Sequence, residues 1–193
     1  MIQLLLRWRR FAFVLLFTLG LLGCQTSPPP SPQQQLAALS QQAQHGDTAA
    51  QFQLAALYSR GEGVEKNYPE SARWLTLAAQ QGNAPAQGVL ATMYYEGVGV
   101  AQNYTQAAHW ARLAAMQGDG TGQSVLGAMY FEGRGYAQDY QEAYAWLALA
   151  AVNGELAETQ ARDRAAEKLS AKNLQQAQHR ATTLAQQIAA HSR

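Results

Sequence analysis

The chain has 193 residues, of which 48% are apolar and 14% are charged, and its formal net charge is +1. The near balance of 14 basic and 13 acidic residues gives no basic excess of the kind that nucleic-acid binding requires, so we expect no nucleic-acid partner. The single cysteine excludes a disulfide within the chain.

The chain opens with the pattern of an export signal. Three arginines within the first ten residues precede an apolar run from Phe11 to Leu22, which is shorter than the roughly 20 residues of a transmembrane helix. We therefore predict a signal peptide over residues 1–23. Ordinary export is favoured over a twin-arginine signal, because the residues around Arg9-Arg10 fit that second pattern poorly.

The apolar run ends in Leu21-Leu22-Gly23-Cys24, which resembles the lipobox of bacterial lipoproteins. The resemblance implies cleavage before Cys24 and lipidation of that residue, which would give a membrane anchor of several acyl chains at about 0.8 kcal/mol per buried CH₂. Gln25 follows, where an Asp would favour retention at the inner membrane, so outer-membrane sorting is implied. The alternative is an uncleaved anchor helix that contains Cys24.

Residues 24–35 form a segment rich in proline and glutamine. Proline disfavours helix and sheet and favours an extended spacer, so we predict a tether between the anchor and the rest of the chain. A proline-rich segment can also be a ligand for aromatic grooves. The position directly after Cys24 favours the tether.

From Gly46 to Gly154 the chain repeats with a period of 36 residues. A fixed period of this length marks a solenoid, in which each unit buries its apolar face on its neighbours. We place the three repeats at residues 46–81, 82–117 and 118–154. The corresponding positions include Leu54, Leu90 and Leu126; Tyr58, Tyr94 and Tyr130; Gly61, Gly97 and Gly133; Gly63, Gly99 and Gly135; and Trp74, Trp110 and Trp146.

Each repeat reads as two helices joined by a glycine-rich loop. In the first repeat, Leu54, Ala55 and Tyr58 fall on one helix face, and Gly61 can take the left-handed conformation that often ends a helix. A second helix begins near Pro69, which the first helical turn tolerates. The predicted fold class is therefore all-α: a right-handed α-solenoid of three 36-residue helix–loop–helix repeats.

Helical caps are predicted at both ends of the repeats. Residues 36–45 look like half a repeat and are expected to form an N-terminal capping helix. Residues 155–193 are expected to form two C-terminal capping helices, at about 155–168 and 171–190, with Ser170 as the N-cap of the second. The second of these has an apolar stripe at helical spacing, and its other face is rich in Gln and carries Arg180.

The repeat resembles the Sel-1-like repeat family, a relative of the tetratricopeptide repeat. The loops Gly61-Glu62-Gly63-Val64 and Gly97-Val98-Gly99-Val100 fit the family's Gly-x-Gly-Val, and the third loop has Tyr136 in place of Val. The resemblance implies a solenoid that binds other proteins. Some secreted members carry a disulfide in each repeat, whereas these repeats contain no cysteine, so the β-lactam-related binding of that branch is not implied.

Registering the first helix of each repeat on the tetratricopeptide unit gives a candidate groove for a partner. We hypothesise that Tyr95 and Phe131, flanked by Glu96 and Glu132, form an aromatic and acidic strip that favours basic side chains. The alternative is that both aromatic rings only pack on neighbouring units. The predicted groove residues are Phe52, Ser59, Arg60, Thr92, Tyr95, Glu96, Ser124, Phe131 and Glu132.

No catalytic, metal or cofactor site is predicted. The four histidines are scattered, no ligand spacing surrounds them, and the Gly-x-Gly motifs lie between helices instead of after strands. We therefore predict a non-enzymatic, lipid-anchored envelope protein, facing the periplasm from the outer membrane, that binds an envelope protein or peptide as an adaptor or as a chaperone-like holder. The alternative is a protein that binds or modifies peptidoglycan.

Overall fold

The structure is a computed structural model that describes residues 31–153 and 156–191. Every regular element in these two ranges is helical. The helices are α1 (Pro32–Gln44), α2 (Thr48–Arg60), α3 (Tyr68–Gln80), α4 (Ala84–Glu96), α5 (Tyr104–Met116), α6 (Gly120–Glu132), α7 (Tyr140–Ala150), the 3₁₀ turn Ala151–Asn153, α8 (Leu156–Glu167) and α9 (Ala171–His191).

The described residues from Pro32 onward belong to one compact unit, and the predicted all-α solenoid is confirmed. The predicted signal peptide, Cys24 and most of the tether lie outside the described residues. The last part of the tether is not extended as predicted, because α1 already begins at Pro32. The first helical turn accepts proline, since the N–H that proline lacks has no intrahelical partner there.

The helices follow the 36-residue period closely. The first helices of the repeats begin at residues 48, 84 and 120, and the second helices begin at 68, 104 and 140. In the same register, α1 stands where a second helix of a preceding repeat would begin, and α8 stands where a first helix of a fourth repeat would begin. Half a repeat therefore flanks the three full repeats at each end.

Local sequence signals explain where these helices start and stop. Asp47, Asn83 and Asp119 precede the three first helices, and each side chain accepts a hydrogen bond of 2.8 Å from the N–H three residues later. Asn67, Asn103 and Asp139 cap the second helices in the same way. Glycine in the left-handed conformation ends each first helix, and its N–H bonds to the carbonyl four residues earlier.

Small residues bring the helices close together in the core. Ala91, Ala107 and Ala111 have no exposed surface. At Gly127 the two helices of the third repeat are so close that a Cβ built on this residue would lie 2.5 Å from Cγ of Leu147. Aromatic residues fill the space around these contacts: Trp74 and Trp146 are buried, whereas Trp110, Tyr58, Tyr94 and Tyr130 are partly buried against the core.

A chain of buried glutamines links successive repeats. Gln87 on α4 is almost fully buried, and its Nε2 donates to the carbonyl of Ala79 at the end of the preceding repeat, at 3.0 Å. Its Oε1 accepts a 2.7 Å hydrogen bond from Nε2 of Gln117. The first repeat has the same arrangement, built from Gln51, Ala43 and Gln81. Each link satisfies a polar side chain inside an apolar interface.

The last helix departs from the repeat pattern. A second helix in register would begin at residue 176, but α9 begins at Ala171, capped by Ser170, and packs on α7 and α5. Leu184 is buried there. Arg180 does not simply lie on an outer polar face, because its Nε bonds to Glu142 of α7 at 2.7 Å. The apolar stripe of α9 thus covers two second helices of the solenoid.

Candidate partner-binding groove

The predicted groove residues lie on the first helices of the three repeats. Three of them are largely exposed: Arg60 at the end of α2, Glu96 at the end of α4 and Glu132 at the end of α6. The other six are half-buried: Phe52, Ser59, Thr92, Tyr95, Ser124 and Phe131. Six of the nine line two separate pockets, whereas Phe52, Arg60 and Tyr95 line neither of the two.

The two groove aromatics pack inside their own repeats. The ring of Tyr95 meets that of Tyr104 edge to face, with centroids 5.6 Å apart and an interplanar angle of 61°. Phe131 meets Tyr140 in the same way, at 5.3 Å and 66°. Such pairs contribute about 0.5–1.5 kcal/mol beyond the area that they bury. Both rings therefore join the first helix of a repeat to the second.

Tyr95 also contacts the following repeat. Its hydroxyl donates to Oε2 of Glu132 at 2.7 Å, and the same oxygen lies 3.0 Å from Nε of Arg134. Burial, with the hydrogen bond to Glu132 as the next cause, raises the pKa of the Tyr95 hydroxyl well above its usual range. The tyrosine thus stays a neutral donor, and the charge of Glu132 is balanced by Arg134.

The first repeat lacks this aromatic pair. Ser59 occupies the position of Tyr95 and Phe131, and its hydroxyl donates to the carbonyl of Ala56 in its own helix, at 2.9 Å. Tyr68, which corresponds to Tyr104, remains 38% exposed. A pocket of about 300 Å³ opens beside it, lined among others by Ser59, Tyr68, Val89, Thr92, Glu96 and Val98. We call it the Ser59 pocket.

The charges at the ends of the first helices also differ between repeats. Arg60 pairs with Glu62 at 3.0 Å, and Glu132 pairs with Arg134 at 3.0 Å. In the middle repeat, Val98 stands where Glu62 and Arg134 stand in the others. Within the described residues, the Glu96 carboxylate consequently has no ion-pair partner.

A second pocket, of about 310 Å³, lies between α6 and α8. It includes Ser124, Phe131 and Glu132 of the predicted groove, and Glu158 and Arg164 of α8 line it as well. Oε2 of Glu158 is buried and accepts no hydrogen bond in the described part of the chain. The half repeat at the C-terminal end therefore supplies one wall of this pocket.

Two of these features do not follow from the predicted groove. The empty ring position and the unpaired Glu96 involve Ser59 and Val98, which are unremarkable by themselves. The signal that could have found them is the difference between corresponding positions: Ser, Tyr, Phe at 59, 95 and 131, and Glu, Val, Arg at 62, 98 and 134.

The described residues hold neither a cluster of metal ligands nor a membrane-spanning helix. No three side chains of His, Cys, Asp or Glu in residues 31–153 and 156–191 lie together in a way that could hold a metal ion. In the same ranges, no helix combines the length and the apolar character needed to cross a membrane.

Comparison with known proteins identifies the repeat. The family model described as Sel1 repeat matches three times, at residues 48–83, 84–119 and 121–154, which together make up more than half of the chain. The chain belongs to the Sel1 repeat family. Each match begins at the first residue of α2 or α4, or one residue into α6, so the matched units coincide with the helix pairs.

Two solved structures of Sel1 repeat proteins resemble this one. A Sel1 repeat protein from Oxalobacter formigenes is 36% identical, with 67% of this chain and 98% of that chain covered and a TM-score of 0.59. The protein c5321, titled a protective antigen of uropathogenic Escherichia coli strains with an SLR fold, is 31% identical, with 84% and 43% covered and a TM-score of 0.53. The chain thus spans less than half of c5321. No curated protein sequence matches.

Family membership places the chain in a broad functional class. Sel1 repeat proteins generally mediate interactions between proteins and typically are not enzymes. In this Sel1 repeat chain, the surfaces available for such an interaction include the Ser59 pocket and the pocket between α6 and α8.

Proposed function

We propose that this Sel1 repeat protein is an interaction module of the bacterial cell envelope. Acyl chains on Cys24 hold it at the membrane, in the outer membrane facing the periplasm, and it binds a protein or peptide as an adaptor through the first helices of its repeats. The lipobox-like Leu21-Leu22-Gly23-Cys24 and the preceding apolar run support the anchor.

The observation that carries the binding role is the Ser59 pocket. It is mostly apolar, yet it is open at the surface, where Val89 is 36% exposed and Tyr68 is 38% exposed. Apolar side chains that remain accessible beside a polar rim are typical of protein-binding surfaces. The carboxylate of Glu96 supplies the rim on one side.

Site-specific photocrosslinking in growing host cells tests this function. A photoreactive residue replaces Val89 on α4 in one strain and Leu113 on α5 in another, both in the full chain. Leu113 is a matched control, because it lies in the same repeat and is 40% exposed, but on the second helix. Circular dichroism of both purified variants checks that they fold alike.

We expect light-dependent adducts of higher mass from Val89 that Leu113 does not give, and mass spectrometry of these adducts would name the partner. Adducts that contain protein would support the adaptor. The proposal fails if Val89 yields no protein adduct or only those that Leu113 also yields. Binding of the purified chain to peptidoglycan without any protein adduct would favour a cell-wall role instead.

A further inference from the structure

The three repeats of the chain serve as internal references for one another. At the position where Tyr95 and Phe131 each place a ring against the second helix, the first repeat has Ser59. The tyrosine that pairs with the ring in the other repeats is retained as Tyr68. The Ser59 pocket is therefore the space that an aromatic ring occupies in the other two repeats.

The residues that enclose the Ser59 pocket largely match those around the rings of the other repeats. Gly99 lies against the backbone of Tyr68, as Gly135 lies against that of Tyr104. Lys66, whose counterparts are Gln102 and Gln138, is specific to the first repeat and places its ammonium 4.7 Å from the centroid of the Tyr68 ring. Val89 and Met93 of α4 form the apolar side. The walls that hold a ring in the other repeats are thus present without the ring, so an aromatic side chain from another molecule can enter with few rearrangements.

The charge beside the pocket selects what accompanies that ring. Glu96 is the one charged residue among the nine described residues that line it. In the third repeat the corresponding Glu132 pairs with Arg134, but Val98 cannot supply such a pair to Glu96. An unpaired carboxylate next to an apolar pocket favours a ligand that carries a positive charge close to its apolar group.

We propose that the Ser59 pocket binds an aromatic side chain of a partner peptide that adjoins a positively charged residue. The ring meets Tyr68 edge to face, as Tyr95 meets Tyr104, and the cation pairs with Glu96. This inference rests on the proposed adaptor function and specifies the chemistry of its partner.

Two small probes test the chemistry in solution. Phenethylamine carries a ring and an ammonium, whereas phenylacetate carries the same ring and a carboxylate. Each is titrated into the ¹⁵N-labelled full chain in a detergent without aromatic groups, and backbone amide signals are followed by NMR. We expect shifts at Thr92, Glu96 and Val98, and binding of phenethylamine that is about three-fold or more tighter than that of phenylacetate.

Two of the variants carry the residue that another repeat has at the corresponding position. Ser59→Tyr introduces the ring found at Tyr95 and should abolish binding of both probes, while Ser59→Ala keeps the pocket open and should bind like the wild type. Val98→Arg supplies the pairing residue found at Arg134 and should remove the preference for phenethylamine. The inference is overturned if Ser59→Tyr binds the probes as Ser59→Ala does, or if the wild type binds phenylacetate equally well.

Combination with the crosslinking experiment separates this inference from the function on which it rests. Protein adducts from Val89 that persist in the Ser59→Tyr variant would overturn the pocket inference and leave the adaptor intact. Probe binding at the pocket without any protein adduct would overturn the adaptor and leave the pocket chemistry standing. If Ser59→Tyr does not fold, Val98→Arg still decides whether Glu96 selects the cation.

Discussion

Gly99 lies directly against Tyr68 of the preceding repeat: a Cβ built on this glycine would lie 2.6 Å from the carbonyl oxygen of Tyr68. Its counterpart Gly63 has the same positive φ, +72° against +73°, but the nearest atom is Cδ2 of Leu36 at 4.0 Å. Both Gly63 and Gly99 therefore allow a left-handed backbone in their loops. Only Gly99 also allows a close approach to the backbone of Tyr68.

We predict that Gly99→Ala destabilises the protein more than Gly63→Ala. Both variants lose about 1 kcal/mol or more because alanine disfavours a positive φ, and Gly99→Ala adds about 1–3 kcal/mol of overlap with a backbone that cannot easily move. Urea unfolding followed by circular dichroism measures both. Equal losses would show that the close approach to Tyr68 contributes nothing.

The glutamine chain leads to a second prediction. Gln87→Leu keeps the approximate volume but removes a buried donor and acceptor, so Gln117 loses its 2.7 Å acceptor. We expect a loss of about 1–3 kcal/mol in the free energy of unfolding. Gln106→Leu, on the exposed surface of α5, is the control. It should change the free energy of unfolding by less than about 0.5 kcal/mol. A Gln87→Leu variant as stable as this control contradicts the structural role.

The N-cap of α6 leads to a prediction about pH. Burial raises the pKa of the Asp119 carboxyl above its usual value, although the backbone N–H groups of Gly122 and Thr121 oppose this. The folded state therefore binds the proton more readily than the unfolded state, so this group's contribution to stability falls as pH rises through its titration range. Asn83 caps the preceding first helix without carrying a charge.

Asp119→Asn should accordingly keep the cap and be more stable than the wild type at pH 7. The difference should shrink as pH falls and vanish once the wild-type carboxyl is protonated. Asp119→Ala serves as the control, since it loses the cap and should cost about 1 kcal/mol at neutral pH. Thermal unfolding from pH 3 to pH 7 tests this, and a pH-independent difference between Asp119→Asn and wild type would contradict it.

The proposed anchor predicts a clear change in cell fractionation. Cys24→Ser removes the sulfur that would be lipidated, so the variant should lose incorporation of labelled palmitate and leave the outer-membrane fraction. Gln25→Asp should keep the label but move the protein to the inner membrane, according to the sorting pattern that Gln25 resembles. A Cys24→Ser protein that still carries label and fractionates as the wild type does would refute the lipoprotein assignment.

The regular part of the fold was accessible from the sequence because three copies constrain one another. The glycines that end the helices and the Asn or Asp residues that cap them recur every 36 residues, so the positions of α2 to α7 follow from the period. The predicted start of α1, at residue 36, is too late, because proline disfavours the interior of a helix but is accepted in its first turn, where Pro32 lies. The place of α9 on α7 and α5 depends on tertiary packing, which no local pattern carries.

The candidate site was less accessible. Tyr95 and Glu132 were predicted to share a strip, but their hydrogen bond and the pairing of Glu132 with Arg134 depend on the spacing between neighbouring repeats. Whether these side chains bind a partner stays a prediction. Gln51, Gln87 and Gln123 recur with the period, but their burial does not follow from the sequence, because glutamine is usually a surface residue.

The repeats differ at the corresponding positions 59, 95 and 131, where Ser, Tyr and Phe stand. Helix caps and alanine contacts recur from repeat to repeat, whereas these positions vary in whether they carry an aromatic ring. A single exchange of a ring for a small residue can therefore add a recognition site one unit further along the chain. Tyr95→Ser would open a pocket next to Tyr104, and the same scaffold could then bind its partner one repeat further along the chain.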